Sequence, residues 1–145
     1  MIYLAGSCSS EQRTIMQNAA NALTKLGKKV YCPFNLKIEH AWDYSQEVWA
    51  NVVFEKDLEM LDKADIVVVI SPGRSSSAGF NWEQGYAYAK GKIVIVIQYT
   101  DENTSLMTYS GSTLFVNSTL EHLEKDLINA VKGKYIKGKC STILT

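Results

Sequence analysis

The sequence predicts an α/β protein built around a parallel β-sheet. Short apolar runs alternate along the chain with longer stretches in which apolar residues recur at helical spacing. Two of the runs, DIVVVIS at 65–71 and KIVIVIQ at 92–98, are β-branched and unbroken, as in central strands buried on both faces. Because strands and helices alternate, the connections are crossovers, which join parallel strands.

Taken in order, five strands and four helices are expected. The strands are placed at 2–5, 29–32, 65–71, 92–98 and 113–116. The helices are placed at 10–26, 45–63, 80–90 and 118–132. Ser10 and Ser118 are suitable N-caps, while Gly27 and Gly91 stand where helices stop. The last residues, GKYIKGKCSTILT, show no clear pattern.

Length and composition predict one domain over residues 1–145. Of these residues, 46% are hydrophobic and 21% charged, with fifteen basic and fifteen acidic side chains. This balance argues against disorder and against binding of a nucleic acid polymer, so an anionic ligand would be small. No apolar run approaches the roughly 20 residues of a membrane span, and MIYLAG lacks the charged start of a signal peptide. No membrane partner is expected.

The cysteines indicate a reduced compartment. Cys8, Cys32 and Cys140 have no spacing typical of a metal site, and three residues cannot all pair. We therefore expect a cytoplasmic protein with no metal and no other cofactor.

The predicted architecture also indicates where a ligand would bind. In a doubly wound, Rossmann-like sheet of flavodoxin-like order 2-1-3-4-5, ligands bind at the carboxyl ends of the strands where the order reverses. The loops there are GSCSSEQR at 6–13 and PGRSSSAG at 72–79. Each contains glycine, hydroxyls and one arginine, Arg13 or Arg74, and each leads into a helix N-terminus suited to a small anion. The same residues also suit ordinary turns, and both interpretations stay open.

Glu83 is the first candidate for catalysis. It falls in the first turn of the predicted helix 80–90. An acid there can simply complement the helix dipole, which stabilises the helix by about 0.5 kcal/mol. Its surroundings suggest more, because Gly79 and Gly85 leave room for a ligand. Aromatic walls are available from Trp82, Tyr86 and Tyr88. A carboxylate in such a crevice is a candidate nucleophile or base.

Asp57 is the second candidate. It lies four residues after Val53 and four before Leu61, on or beside the apolar stripe of its helix. The alternative is an ordinary solvated aspartate. If Asp57 points into the crevice, two carboxylates are available for glycosyl chemistry, one to attack the anomeric carbon and one to manage a proton.

Four segments give the chain a resemblance to the nucleoside 2-deoxyribosyltransferase family. They are IYLAGS at 2–7, EKDLEMLDKADIVVV at 55–69, SAGFNWEQGYAYAKGK at 77–92 and SLM at 105–107. They occur in order from the first strand to about residue 118. The resemblance implies the flavodoxin-like fold and cleavage of the N-glycosidic bond of 2′-deoxynucleosides through a glutamate nucleophile.

The resemblance assigns roles to individual residues. Glu83 would attack C1′ of the sugar, and Asp57 would orient this nucleophile or protonate the leaving base. Tyr3 matches a tyrosine that hydrogen-bonds the catalytic glutamate in some members. Gly6 and Gly79 would allow close approach of the nucleotide.

Two departures from the family pattern indicate the substrate. Members that act on free nucleosides have an aspartate where this chain has Ser77, and an asparagine from a neighbouring subunit where it has Ser105. An aspartate would repel a 5′-phosphate by several kcal/mol in a poorly solvated site, whereas serine can donate a hydrogen bond to it. The pattern is similar to the branch that hydrolyses 2′-deoxynucleoside 5′-monophosphates or CMP. There such serines, with Ser7 and Arg13 in the first loop, would hold the phosphate.

Hydrolysis is therefore favoured over base exchange, although both share the first half-reaction. The resemblance also implies a homodimer or larger assembly in which Ser105 acts in trans. An alternative outside catalysis is a nucleotide-binding module that has no use for Glu83. A flavin protein is suggested by fold alone, and a cysteine enzyme based on Cys8 lacks an evident route to a histidine. Dense aromatics between the second strand and helix, Phe34, Trp42, Tyr44, Trp49 and Phe54, suit either base stacking or a packed core.

Overall fold

The structure is a computed structural model that describes residues 1–7, 9–74, 77–133 and 143–144. The strands are β1 (Ile2–Ala5), β2 (Val30–Tyr31), β3 (Ile66–Ser71), β4 (Ile93–Gln98), β5 (Thr104–Ser105), β6 (Leu114–Asn117) and β7 (Ile143–Leu144). The helices are α1 (Ser10–Lys25), α2 (Gln46–Lys63), α3 (Ala78–Ala89), α4 (Leu106–Ser110) and α5 (Leu123–Val131). Short 3-10 helices lie at Pro33–Asn35 and Ala41–Asp43.

Five strands form one parallel sheet in the order β2-β1-β3-β4-β6. The strand β5 pairs instead with β7 in a separate two-stranded sheet. Counting only the strands of the main sheet, this is the predicted order 2-1-3-4-5. The flavodoxin-like α/β fold is confirmed.

The sheet has one hydrophobic core on each face. On one side, alternate strand residues such as Val68 and Ile70 pack against α1 and α5. On the other, their neighbours Val67 and Val69 pack with Tyr3 against α2 and α3. Burial on both faces explains why the central strands are continuous apolar runs. It also places Tyr3 on the same face as α3, the helix that carries Glu83.

The helix ends predicted from Gly27 and Gly91 agree with the structure, whereas the N-caps predicted at Ser10 and Ser118 do not. Gly27 and Gly91 follow α1 and α3 with φ of +82° and +71°, as expected for left-handed C-terminal residues. The helix α1 begins at Ser10, so Ser9 rather than Ser10 is its N-cap residue. The predicted cap at Ser118 is wrong, because its hydroxyl donates to Asp126 Oδ2 over 2.7 Å and α5 begins only at Leu123.

The start of α3 corrects the position of Glu83. Ser77 caps this helix by accepting a hydrogen bond from the Phe80 backbone N–H over 3.3 Å, so α3 begins at Ala78, two residues before the predicted start. Glu83 therefore lies in the second turn, not the first. The helix dipole acts mainly on the first turn, so it does not account for an acid at this position.

None of the helices in the described ranges combines the length and apolar character needed to cross a membrane. Of the cysteines, Cys32 is buried. Cys8 and Cys140 lie outside the described residues, as does most of the C-terminal tail.

Candidate active site

Helices α2 and α3 face each other across a cavity of about 260 Å³. The residues that line it recur at helical spacing on the two facing surfaces: Phe54, Asp57, Leu58 and Leu61 from α2, and Gly79, Trp82 and Glu83 from α3. Both predicted carboxylates thus lie in one cavity. Asp57 is half-buried there and is not an ordinary solvated aspartate.

Burial dominates the electrostatics of Glu83. It raises the pKa of this carboxyl to about 7, and the negative charge of Asp57 adds to the rise. The nearby Tyr3 hydroxyl, as a donor, lowers the pKa of Glu83 and so opposes this rise. Among the described residues, however, the Tyr3 hydroxyl makes no hydrogen bond of full geometry. Glu83 Oε2 is buried and has no hydrogen-bond partner among the described residues. A buried, unsatisfied carboxylate oxygen is uncommon outside functional sites.

Tyr3 is fully buried in β1. Its burial, followed by the charge of Glu83, raises the pKa of its phenol far above the usual range. The phenol therefore stays protonated and can act only as a donor towards a carboxylate beside it. The role that the resemblance implies for Tyr3 stays a prediction, because its hydroxyl makes no hydrogen bond to Glu83 among the described residues.

Asp57 has a partner that the sequence did not indicate. The Tyr31 hydroxyl donates to Asp57 Oδ1 over 2.7 Å. Burial raises the pKa of Asp57, and the bond from Tyr31 lowers it in part. The available signal was that Tyr31 stands beside Tyr3 once β2 is placed next to β1, since these two residues pair in the sheet register.

The two glycines of the predicted site serve different purposes. A Cβ on Gly79 would meet nothing nearer than Glu83 Oε1 at 4.0 Å, so the space beside the carboxylate is open. A Cβ on Gly6 would clash with the Sδ of Met16, so the flexible end of that side chain would have to shift. The side chain of Met16 on α1 thus occupies the space beside Gly6.

The loop residues predicted to bind phosphate lie apart from one another. Ser7 Oγ accepts a hydrogen bond from the Ser9 backbone N–H over 3.3 Å. Arg13 is exposed and holds its guanidinium 5.9 Å from the centre of the Phe34 ring, in a separate groove that also contains Lys37. The structure does not bring Arg13 to the Glu83 cavity, because it lies on α1, which packs on the other face of the sheet. Ser77, by contrast, caps the same helix that carries Glu83.

Ser105 lies on the far side of α3. It caps α4 by accepting a hydrogen bond from the Met107 backbone N–H over 3.2 Å. It lines a groove of about 460 Å³ with residues of the opposite face of α3, among them Asn81, Gly85 and Tyr88. Within one chain, Ser105 therefore does not reach the Glu83 cavity.

Buried amides fix the loops around these sites. Gln98, at the end of β4, donates to the carbonyls of Thr100 and Glu102 over 3.2 and 2.6 Å, and Thr104 donates to its Oε1. The loop after β3 packs against this segment that follows β4. Gly73 of that loop has φ of +88°, and a Cβ added to it would lie 2.9 Å from Glu102 Cβ. These contacts hold Gly73 against the segment 98–102. The sequence signal for these hydrogen bonds was Gln98, a polar amide at the end of an apolar strand.

Of the predicted aromatic walls, only one lines the cavity. Trp82 is 50% exposed at its mouth, with Phe54 edge-on at 5.4 Å. Tyr86 stacks behind Trp82 at 5.5 Å and donates to Asp62 Oδ1, outside the cavity. Tyr88 belongs to the groove on the opposite face. Of the predicted aromatic segment, Trp42, Tyr44 and Trp49 are exposed and outside the cavity lining.

In the described part of the chain, no three His, Cys, Asp or Glu side chains are grouped so that they could hold a metal ion. What the cavity does contain is two carboxylates, each faced by a tyrosine hydroxyl, beside open space and an aromatic ring. This set of side chains is suited to nucleophilic attack at an anomeric carbon combined with proton transfer.

Comparison with known structures identifies proteins that share this fold. The chain is similar to the 2-deoxyribosyltransferase of the psychrotolerant bacterium Bacillus psychrosaccharolyticus, with 29% identity and a TM-score of 0.76 over 95% of this chain and 98% of that one. It shares the fold of a conserved protein from Enterococcus faecalis V583, with 22% identity and a TM-score of 0.66 over 89% and 97% of the two chains. It also shares the fold of the Clostridium botulinum CMP N-glycosidase BcmB, with 15% identity and a TM-score of 0.58 over 88% and 97%.

Among curated proteins, no sequence is significantly similar to the chain. The family model for nucleoside 2-deoxyribosyltransferase, however, matches residues 2–134. The match spans the cavity and every predicted site residue. The chain therefore belongs to the nucleoside 2-deoxyribosyltransferase family, whose enzymes act on nucleosides or nucleotides.

Proposed function

We propose that this chain hydrolyses the N-glycosidic bond of 2′-deoxynucleoside 5′-monophosphates, with Glu83 as the nucleophile. The observation that carries the proposal is that Glu83, whose Oε2 is buried, shares one cavity with Asp57 and lies on a helix whose N-cap is Ser77 rather than an acid. A 5′-phosphate needs hydrogen-bond donors, and this helix start offers them without an acid at the N-cap.

The first half-reaction forms an ester on Glu83. Its carboxylate attacks C1′, the bond from C1′ to the base nitrogen breaks, and the electron pair leaves with the base. The two carboxyls share one proton near neutral pH, and the reaction uses the form in which Glu83 is ionised and Asp57 is protonated. Asp57 then gives this proton to the departing base. A pKa of about 7 leaves a substantial fraction of Glu83 ionised at neutral pH, and burial keeps this carboxylate poorly solvated and reactive.

The second half-reaction releases the sugar. Water attacks C1′ of the ester and gives one proton to the Asp57 carboxylate, while Glu83 leaves as a carboxylate. The net change converts the nucleotide and one water into free base and 2-deoxyribose 5-phosphate. The site is then in its starting protonation state.

The 5′-phosphate would bind at the start of α3. The Ser77 oxygen accepts the Phe80 N–H and keeps its own proton available for donation outward. The free backbone N–H groups of the first turn and the helix dipole favour the same anion. Ser7 in the first loop is a further donor in this proposal, whereas Arg13 would have to leave its contact with Phe34 to take part.

Transfer to a second base is the competing function. It is favoured by the 29% identity to a 2-deoxyribosyltransferase, which covers 95% of this chain. In that reaction a free base, instead of water, attacks C1′ of the ester. The CMP N-glycosidase shows only that the same fold accommodates a nucleotide.

We also propose that the protein is a cytoplasmic homo-oligomer. Ser105 lies on the face of α3 opposite Glu83, so it can serve a site only in a second copy of the chain. Mixing Glu83→Ala subunits with Ser105→Ala subunits tests this arrangement. Activity should reappear in the mixture, because one hybrid site contains both residues, and its absence would rule out a contribution in trans.

A substrate panel tests the proposed function. The protein is incubated with each 2′-deoxynucleoside and each 5′-monophosphate, with and without an acceptor base, and the products are separated by chromatography. We expect free base and 2-deoxyribose 5-phosphate from monophosphates. Faster turnover of nucleosides would contradict the phosphate assignment, and base exchange without net hydrolysis would establish the transferase instead.

A further inference from the structure

Two tyrosines stand side by side on neighbouring strands next to the two carboxylates of the cavity. Tyr3 of β1 and Tyr31 of β2 pair in the sheet register, with ring centroids 5.4 Å apart and ring planes at 41°. The Tyr3 hydroxyl faces Glu83, and the Tyr31 hydroxyl donates to Asp57 Oδ1 over 2.7 Å. Each carboxylate is thus faced by its own phenol.

We propose that Tyr31 is a positioning residue that acts through Asp57. Its hydroxyl holds Oδ1, so that Oδ2 is turned towards the cavity, and it stabilises the carboxylate that remains when Asp57 gives up its proton. The inference deepens the proposed function and rests on the role of Asp57 as proton donor stated there.

A hydrogen bond from Tyr31 favours proton transfer for a simple reason. A phenol donates a stronger hydrogen bond to a carboxylate than to a neutral carboxylic acid. The bond therefore strengthens as the proton moves from Asp57 to the departing base, and an interaction that strengthens along the reaction accelerates it. In agreement, the bond from Tyr31 lowers the pKa of Asp57 against the effect of burial.

The Tyr31 hydroxyl is itself well suited to act as a donor. Burial and the bond to Asp57 raise the pKa of this phenol, so it stays protonated at neutral pH. Among the described residues, the titratable groups that interact with Asp57 are Tyr31 from β2, Tyr3 from β1 and Glu83 from α3. Of these three, only Tyr31 makes a hydrogen bond of full geometry to it.

Helix α2 carries a second aspartate, Asp62, that also accepts a hydrogen bond from a tyrosine, and this pair is a matched comparison. Tyr86 donates to Asp62 Oδ1 over 2.7 Å, the same length as the bond from Tyr31 to Asp57. Asp62 is an exposed residue of α2, and neither Asp62 nor Tyr86 lines the cavity. Replacing each tyrosine by phenylalanine removes one such hydroxyl and keeps the ring.

The test combines kinetics with a titration. Tyr31→Phe should lower kcat/KM for the preferred nucleotide by about tenfold to a hundredfold, as expected for a hydrogen bond to a charged group. Tyr86→Phe should stay within about twofold of the unmodified protein, because an exposed pair contributes little. In an Asp57→Asn background, Tyr31→Phe should have almost no further effect, since its partner has already lost its charge.

Carbon-13 NMR of the Asp57 carboxyl gives a readout that needs no turnover. Its pKa should rise in Tyr31→Phe and stay unchanged in Tyr86→Phe. If Tyr31→Phe does not fold, 3-fluorotyrosine at position 31 keeps the ring and hydroxyl, makes the phenol a better donor and should lower the pKa of Asp57.

Two results would overturn the inference: an unchanged pKa of Asp57, or a full kinetic effect of Tyr31→Phe in the Asp57→Asn background. A chain without nucleotide hydrolysis but with the expected NMR shifts would instead contradict the proposed function and leave the Tyr31 contact intact.

Discussion

The two faces of helix α3 border two different spaces. The face with Gly79, Trp82 and Glu83 borders a cavity of about 260 Å³ that contains two carboxylates. The opposite face borders a larger groove, of about 460 Å³, whose lining residues carry no charge. The larger space therefore lacks the carboxylates on which the proposed chemistry depends. Chemistry depends on where burial raises the pKa of an acid beside a donor, and the volume of a cavity does not report this.

The comparison also separates the roles of two serines. Ser77 and Ser105 both cap helices, but Ser77 caps the helix of Glu83 while Ser105 lies beyond its far face. In the proposed function, Ser77 acts within its own chain and Ser105 in a neighbouring copy. The proposal thus places catalysis on one face of α3 and assembly on the other.

The sharpest way to break the comparison is to neutralise Glu83. Glu83→Gln keeps the shape and removes the nucleophile, so kcat should fall by about a thousandfold or more while nucleotide binding remains. Glu55→Gln, at an exposed position of α2, is the matched control and should be fully active. Retained turnover in Glu83→Gln would transfer the chemistry away from this face.

Asp57→Asn should have the next largest effect. Loss of the proton donor is expected to lower kcat by about a hundredfold, the usual range for general acid catalysis. The pH profile of kcat, compared with that of the matched control Asp62→Asn, checks the assignment. An active Asp57→Asn enzyme with an unchanged profile would leave Glu83 as the only functional carboxylate of the cavity.

The burial of Glu83 should be measurable in stability as well. Because folding raises its pKa from about 4.5 to about 7, the native state binds more protons than the unfolded state between these values. Stability should therefore fall as pH rises through this window, by about 3 kcal/mol, and remain low above it. Glu83→Gln should remove this loss and melt at a higher temperature than the unmodified protein at pH 8. Identical melting curves at pH 8 would show that Glu83 is not buried as described.

The smallest expected effect is a change of preference. Ser77→Asp keeps a good N-cap for α3 but places a negative charge near the proposed phosphate position. The ratio of kcat/KM for a monophosphate to that for its nucleoside should fall by about tenfold or more. Ser77→Ala distinguishes loss of a donor from added repulsion, and an unchanged ratio in both variants would place the 5′-group elsewhere.

How far the sequence predicts this molecule depends on the range of the interactions involved. Unbroken β-branched runs define β3 and β4 because every residue after the first in each strand is buried. The starts of α3 and α5, at Ala78 and Leu123, differ from prediction because a serine bonds either a backbone N–H or a nearby carboxylate, and only packing decides which. The contact of Tyr31 with Asp57 joins two distant elements and depends on sheet register, which no local pattern contains.

The site follows the same rule. Glu83 was found because glycines and aromatics surround it within a few residues, whereas the buried amides Gln84 and Gln98 act on other loops. Gln84 donates to the carbonyls of Thr108 and Gly111 over 2.8 and 3.1 Å, which holds α4 against the far face of α3. The expected phosphate contact of Arg13 stays a prediction, and α1 carries this residue to another groove, beside Phe34 and Lys37.

The most direct test of the account is to capture the bond that Glu83 is proposed to form. A 2′-fluorinated arabinonucleotide slows release of the sugar, so the intermediate should accumulate and be visible by intact-protein mass spectrometry. We predict one sugar phosphate added per chain, mapped by peptide sequencing to Glu83 and absent from Glu83→Ala. Turnover without any adduct, or an adduct on another residue, would contradict the assignment of Glu83 as nucleophile.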